Sequence, residues 1–238
     1  MAQSSSHCSE HQNGLRLIST YASSLSTPSR FVVRYGAAVR SYLRAILPTH
    51  DDADEVEQEF LLQVVEKGIP CGENPHGRYR YYLIATVRNA AFRYLRKHSR
   101  RPTSVGDLSH LSSESSAEIE WHRQWRGCLL QNTWLALRDH QARNKGNLCH
   151  SVLSAFVEHG EEDSVELAAR VSLTSCHLLS AEAFRKQLSR ARQKFAELLI
   201  VEVSRTIADA TPERLEDELH DLDLMKYVRM TLLNAAIV

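Results

Sequence analysis

At 238 residues the chain has room for one long domain or two small ones, and its 43% apolar and 24% charged residues argue against disorder along its whole length. No window approaches the roughly 20 apolar residues that a membrane span needs, and Met1 to Pro28 has no apolar core of the secretory kind, so the expected address is the cytoplasm. Basic and acidic residues balance at 29 each, which excludes a globally basic chain and moves any case for nucleic acid to local segregation of charge.

Residues 1–27 are polar and Ser/His-rich and read as a disordered tail. Pro28 suits a first helical position, and Val32, Tyr35, Val39, Leu43 and Ile46 then recur at helical spacing until Pro48. A second helix is predicted from about Asp51 to Lys67, with Gly68 closing it. Ala53, Val56, Phe60 and Val64 form its apolar stripe; Asp51, Asp54, Glu55, Gln58 and Glu59 fall on the opposite side.

A long helix is predicted over about 78–101, with Leu83, Val87, Ala91 and Leu95 as its buried stripe. It carries Arg78, Arg80, Arg88, Arg93, Arg96, Lys97, Arg100 and Arg101, with Tyr79, Tyr81, Tyr82, Phe92 and Tyr94 interleaved, and no acid lies between Asn74 and Gly106. Eight cations without an acid repel one another unless an anion is near, and phosphate is the natural partner. Tyrosine faces among them suit stacking of single-stranded bases.

Residues 103–118 are Ser-rich and read as a linker, and the second half is helical again. A helix over about 119–139 carries Trp121, Trp125, Leu129, Trp134 and Leu137, the first two Trp being core rather than a cofactor box. Another spans about 148–159. Asp163 and Glu166 have capping-box spacing before a short helix to about Val171. A long turn over 172–179 leads to a helix capped by Ser180, with Phe184, Leu188, Ala191, Phe195 and Leu198 on one side and Arg185, Lys186, Ser189, Arg190 and Arg192 on or beside the other. Short helix, turn and longer basic helix is the layout of a helix-turn-helix. A last amphipathic segment covers about 212–233.

Catalysis and metal chemistry find little support. The five cysteines are scattered without a C-x-x-C, His7, Cys8 and His11 sit in the tail, and no P-loop, GxSxG or GxGxxG occurs. No enzyme, cofactor, metal site or small-molecule substrate is expected.

The order of parts resembles a bacterial extracytoplasmic-function (ECF) sigma factor. DADEVEQEFLLQVVEKG (52–68) is similar to that family's region 2.2, RYRYYLIATVRNAAFRYLRKHSRR (78–101) to regions 2.3 and 2.4, and SAEAFRKQLSRARQKFAELL (180–199) to the region 4.2 recognition helix. The R-Y-R-Y-Y-L-x-x-x-x-R-N run and the long C-terminal part look closest to groups common in planctomycete bacteria. The resemblance implies an all-α chain of two small domains, a region 2 bundle over 28–102 and a region 4 helix-turn-helix over 119–205, joined by a flexible linker and followed by an extension over 206–238.

It implies that Asp51, Asp54, Glu55, Gln58 and Glu59 dock on the clamp of the polymerase β′ subunit. Tyr81, Tyr82, Arg88, Asn89, Arg93, Arg96 and Lys97 would engage the melted −10 element, and Arg185, Lys186, Ser189, Arg190 and Arg192 the −35 major groove. The implied partners are core RNA polymerase and promoter DNA, with an anti-sigma factor or other regulator left open. TSCHLL (174–179) lengthens the turn relative to the family, and the C-terminal extension can pack on the preceding domain, mask the DNA-binding helix or bind a regulator. The competing reading is a helix-turn-helix regulator that binds DNA without polymerase; a third is a helical interaction protein with no DNA role.

Overall fold

Three helix starts can be traced to a short side chain, Thr49, Asp163 or Ser180, that satisfies backbone N–H groups the helix leaves unpaired. The computed structural model describes residues 28–68, 78–98, 114–175, 177–207 and 209–229. In order these form α1 (Pro28–Ile46), α2 (His50–Lys67), α3 (Tyr79–His98), α4 (Glu114–Arg143), α5 (Cys149–Glu158), α6 (Ser164–Ser175), α7 (Ala181–Ser204) and α8 (Pro212–Asp221). A further helical turn follows at 225–229. The chain is all-α: the described residues hold no strand, only an antiparallel bridge between Arg78 and Ile207.

Thr49 caps α2, its hydroxyl accepting from the Asp52 N–H at 3.1 Å. Gly68 ends that helix at φ +88°, a region side chains avoid. At α6 the expected capping box is complete: the Asp163 carboxylate accepts from the N–H of Val165 (2.7 Å) and Glu166 (2.9 Å), and Glu166 reaches back to the Asp163 N–H at 3.1 Å. Ser180 accepts from the Ala183 N–H at 3.2 Å and caps α7 as expected.

The chain divides into two units. The first comprises residues up to Cys128 together with Arg205–Arg214. Its core collects Phe31, Tyr35, Val39, Tyr42 and Leu43 of α1, Ala53, Val56, Phe60 and Val64 of α2, and Leu83, Val87 and Ala91 of α3. Trp121 and Trp125 of α4 are fully buried in it. Tyr35 stacks on Trp125 at 4.5 Å, and Tyr42 meets Trp121 edge-on at 5.8 Å. Burying an indole removes about 150–250 Å² from water, roughly 4–6 kcal/mol each before entropy is subtracted. Arg40 of α1 ties to the buried Glu57 of α2 at 2.8 Å.

This packing revises the expected domain boundaries. Residues 114–118 are helix, not linker. Ala117, Trp121 and Trp125 recur every four residues and are all buried, so the amphipathic stripe overrides the Ser/Glu-rich composition. Residues 119–128 belong with the first unit rather than the helix-turn-helix, because the two Trp pack there. The rest of the expected linker and the N-terminal tail lie outside the described residues. The extension is also divided: Arg205–Arg214 joins the first unit, where the Thr206 carbonyl accepts from the Tyr79 N–H at 2.9 Å, at the start of α3. Thr206 and Ile207 are buried.

The second unit comprises Leu129–Ser204 and the chain from Leu215. Leu129, Leu137, Val152, Leu153, Leu167 and Val171 form its core with Phe184, Leu188, Ala191, Phe195 and Leu199 of α7. The residue completing the α7 stripe is Leu199; Leu198 is half-buried. Trp134 packs against Phe195 at 5.2 Å. The last described stretch is packed: Leu219, Leu222, Leu224 and Val228 are buried, and Tyr227 lies edge-on to Phe195 at 6.4 Å.

Candidate nucleic-acid interface

Asp51, Glu55, Gln58 and Glu59 stand exposed on α2, opposite its buried stripe, and Asp54 is half-buried. Asp54 accepts from Arg44 at 3.1 Å, and Glu59 from the Gln63 amide at 3.2 Å. The Tyr94 hydroxyl of α3 donates to Asp52 at 2.8 Å and Glu55 at 2.9 Å. Those carboxylates push the Tyr94 phenol well above the usual tyrosine range. The Thr49 and Tyr94 hydroxyls in turn hold Asp52 below the usual carboxylate range. A neutral hydroxyl therefore sits between Asp52 and Glu55, and Asp52 keeps its charge. Leu62 and Val65 continue the same face at helical spacing from Gln58, 56% and 55% exposed. Sequence reasoning passed over this apolar end, although the spacing 51, 55, 58, 62, 65 contains it.

On α3 the residues expected at the −10 element separate into three groups. Tyr82, Asn89, Arg93 and Arg96 recur at multiples of helical spacing on one exposed stripe, with small, exposed Ala85 between Tyr82 and Asn89. Arg93 and Lys97 have no acidic partner among the described residues. Tyr81, 46% exposed, sits at the flank, its ring 4.4 Å from the Arg80 guanidinium and its hydroxyl accepting from Arg80 at 3.1 Å. Arg88 faces inward: its Nε donates to the Tyr42 hydroxyl at 2.9 Å and its terminal nitrogen pairs with Glu118 of α4 at 2.7 Å.

Two expectations for this helix are corrected. Arg80 is not a surface cation: it is fully buried and meets His122 at 3.1 Å. It falls on the register of Leu83, Ile84, Val87 and Ala91, so helical phase overrides its charge. Nor is the helix free of compensating acid, since Glu118 is brought in from α4. The stacking faces also shrink to Tyr81 and Tyr82, because Tyr79 and Tyr94 are buried. Arg100 and Arg101 lie outside the described residues.

In the second unit α6 and α7 pack as helix, turn and helix. α6 runs on to Ser175 instead of ending at Val171, so half of the expected long turn is helical. The Ser172 hydroxyl donates to the Ala168 carbonyl at 2.7 Å and accepts from the Leu179 N–H at 2.9 Å, tying the turn back onto the helix. On α7, Arg185, Ser189 and Arg192 align at spacings of four and three and are exposed. Lys186 pairs with Glu182 at 2.7 Å, and Arg192 lies 4.4 Å over the Phe156 ring. Arg190 is turned aside, into a cleft with Lys194 and the 144–147 loop.

Among the described residues no three His, Cys, Asp or Glu gather into a metal site, and no helix is long and apolar enough to cross a membrane. His7, Cys8 and His11 lie outside those residues.

Residues 31–101 match the family model of sigma-70 region 2. That stretch contains α1 from Phe31, all of α2 and all of α3. No curated protein and no solved structure matches the chain. The match supports a sigma-70-type factor, acting with core RNA polymerase and promoter DNA in the initiation of transcription. The sigma-70 family is not a family of enzymes.

Proposed function

We propose that the chain is an ECF-type sigma factor, nearest to the groups common in planctomycete bacteria, that acts in the cytoplasm and directs polymerase to promoters with defined −35 and −10 elements. The observation that carries the reading is the region 2 match over α1–α3, in which the acidic face of α2 and the Tyr82–Arg96 stripe of α3 both stand exposed. Asp51, Asp54, Glu55, Gln58 and Glu59 dock on the β′ clamp, and Leu62 and Val65 add apolar area to a charged patch whose complementarity sets partner choice.

Tyr81 and Tyr82 take up unstacked bases of the −10 element, a contact worth about 1–3 kcal/mol per base. Asn89, Arg93, Arg96 and Lys97 hold that strand. Arg88 joins them by exchanging Glu118 for phosphate. Arg185, Lys186, Ser189, Arg190 and Arg192 enter the −35 major groove, where Arg reads guanine edges and Lys reaches phosphate. An anti-sigma factor or other regulator is a further partner of this reading. The test is co-elution with purified core polymerase. The wild-type chain is expected to co-elute and the Glu55→Arg/Glu59→Arg variant to fail, with DNA binding by the isolated chain unchanged. Co-elution that survives both reversals removes the docking face. DNA binding without any co-elution favours the polymerase-independent regulator.

A further inference from the structure

The second unit contains a polar cleft of about 510 Å³ between the α4–α5 loop and one side of α7. Lys145 projects from the loop, and Arg190 and Lys194 come from α7. Glu197, which accepts from Lys194 at 2.9 Å, is the one carboxylate on the cleft wall. Neither Lys145 nor Arg190 has an acidic partner among the described residues. Amide side chains of Asn144, Gln187 and Gln193 line the rest.

The loop is built rather than loose. Gly146 takes φ +80°, which a side chain would strain. Asn144 donates to the His140 carbonyl at 2.7 Å, Asn147 accepts from the Cys149 N–H at 2.8 Å, and Gln141 exchanges hydrogen bonds with Ser151 at 2.8 and 3.0 Å. Burial pushes the Cys149 thiol up, and the Asn147 hydrogen bond and the charges of Lys194 and Arg190 offset part of that rise. The N-terminus of α5 opens at the same wall and adds its positive dipole end.

We infer that this cleft binds a backbone phosphate of the DNA duplex whose major groove α7 reads, with Lys145 and Lys194 as phosphate ligands and Arg190 shared between cleft and groove. The inference rests on the −35 reading above and adds the α4–α5 loop to it. Three cations and a row of amide donors against one acid suit a monovalent oxyanion. The cleft shares a helix with the groove-facing arginines, so the phosphate comes from the same duplex. Such a contact positions the protein and carries no sequence information.

The test measures binding of the full chain, as holoenzyme with core polymerase, to promoter fragments over a range of salt. Lys145 is exposed, so Lys145→Gln leaves the fold intact, and Lys145→Arg keeps the charge. Lys145→Gln is expected to weaken binding to all −35 sequences alike and to reduce the slope of log affinity against log salt by about 1, with Lys145→Arg like wild type. Arg185→Ala is expected to flatten discrimination between −35 sequences instead.

Unchanged slope and affinity in Lys145→Gln and in Lys145→Gln/Lys194→Gln, with Arg185→Ala still flattening discrimination, would overturn the cleft assignment alone. A wild-type holoenzyme indifferent to −35 sequence would overturn the underlying reading and the cleft with it. Inorganic phosphate exchanged for chloride at constant ionic strength should weaken DNA binding by wild type more than by Lys145→Gln, because both phosphates take the same cleft. Binding of inorganic phosphate at the cleft that leaves DNA affinity unchanged would mark a free-phosphate site and contradict the DNA assignment.

Discussion

α3 and α7 are both basic helices of similar sequence character, and the fold treats their charges differently. On α3, Arg80 falls within the packed face and is enclosed, and Arg88, at the edge of that face, is drawn onto Tyr42 and Glu118. α7 buries one side only, and Arg185, Lys186, Ser189, Arg190 and Arg192 all remain exposed. A count of cations along a helix therefore measures its outward field only when none of them falls on the packed face. On α3 the field narrows to Arg93, Arg96 and Lys97, beside Asn89 and two exposed tyrosines.

The difference is largest in stability. Arg80→Ala is expected to cost about 3 kcal/mol in urea unfolding, because it empties a filled site and leaves the Tyr81 and His122 groups it bonded without it. Arg185→Ala should cost less than about 0.5 kcal/mol, as an exposed substitution does. Equal costs would erase the distinction between the helices. Tyr82→Ala comes next. It should weaken capture of the melted −10 strand by about 1–3 kcal/mol with the duplex −35 contact unaffected, read as loss of open complexes.

Glu118→Gln tests whether Arg88 is held in reserve. Releasing it should tighten −10 strand binding a few-fold and change stability by less than about 1 kcal/mol, as expected of a partly exposed ion pair. Weaker binding would show that Glu118 orients Arg88 for the strand instead of competing for it.

The smallest effect concerns pH. Hydrogen bonds from Arg123, then Gln124 and Ser41, hold the Glu120 carboxyl at about 2, below its ordinary 4.5. A depressed folded-state pKa stabilises the fold above the ordinary value, and that stabilisation drains away as pH falls from 4.5 toward 2. Between pH 5 and 3 the melting temperature of wild type should therefore fall more than that of Glu120→Gln. Parallel curves would mean that the carboxylate adds nothing to the α1–α4 contact.

Local chemistry explains which parts were legible in the sequence. The capping box at Asp163 and Glu166, the Ser180 cap and the acidic side of α2 depend on neighbours a few residues apart. The inward turn of Arg80 was half legible, since its register with Leu83 and Val87 is plain while His122, 42 residues away, is not. The Ser-rich stretch misled because composition hides the four-residue recurrence of Ala117, Trp121 and Trp125. Neither the return of Thr206 to the Tyr79 N–H nor the cleft around Lys145 has a local signature, because each joins segments that only tertiary packing brings together.

The most direct measurement is run-off transcription with purified bacterial core polymerase on a fragmented genomic library from the protein's source, with and without the chain. Discrete new start sites that share −35 and −10 sequences are expected, and they should disappear with Arg93→Ala/Arg96→Ala. No transcripts, together with no co-elution with core polymerase, would contradict the sigma-factor reading.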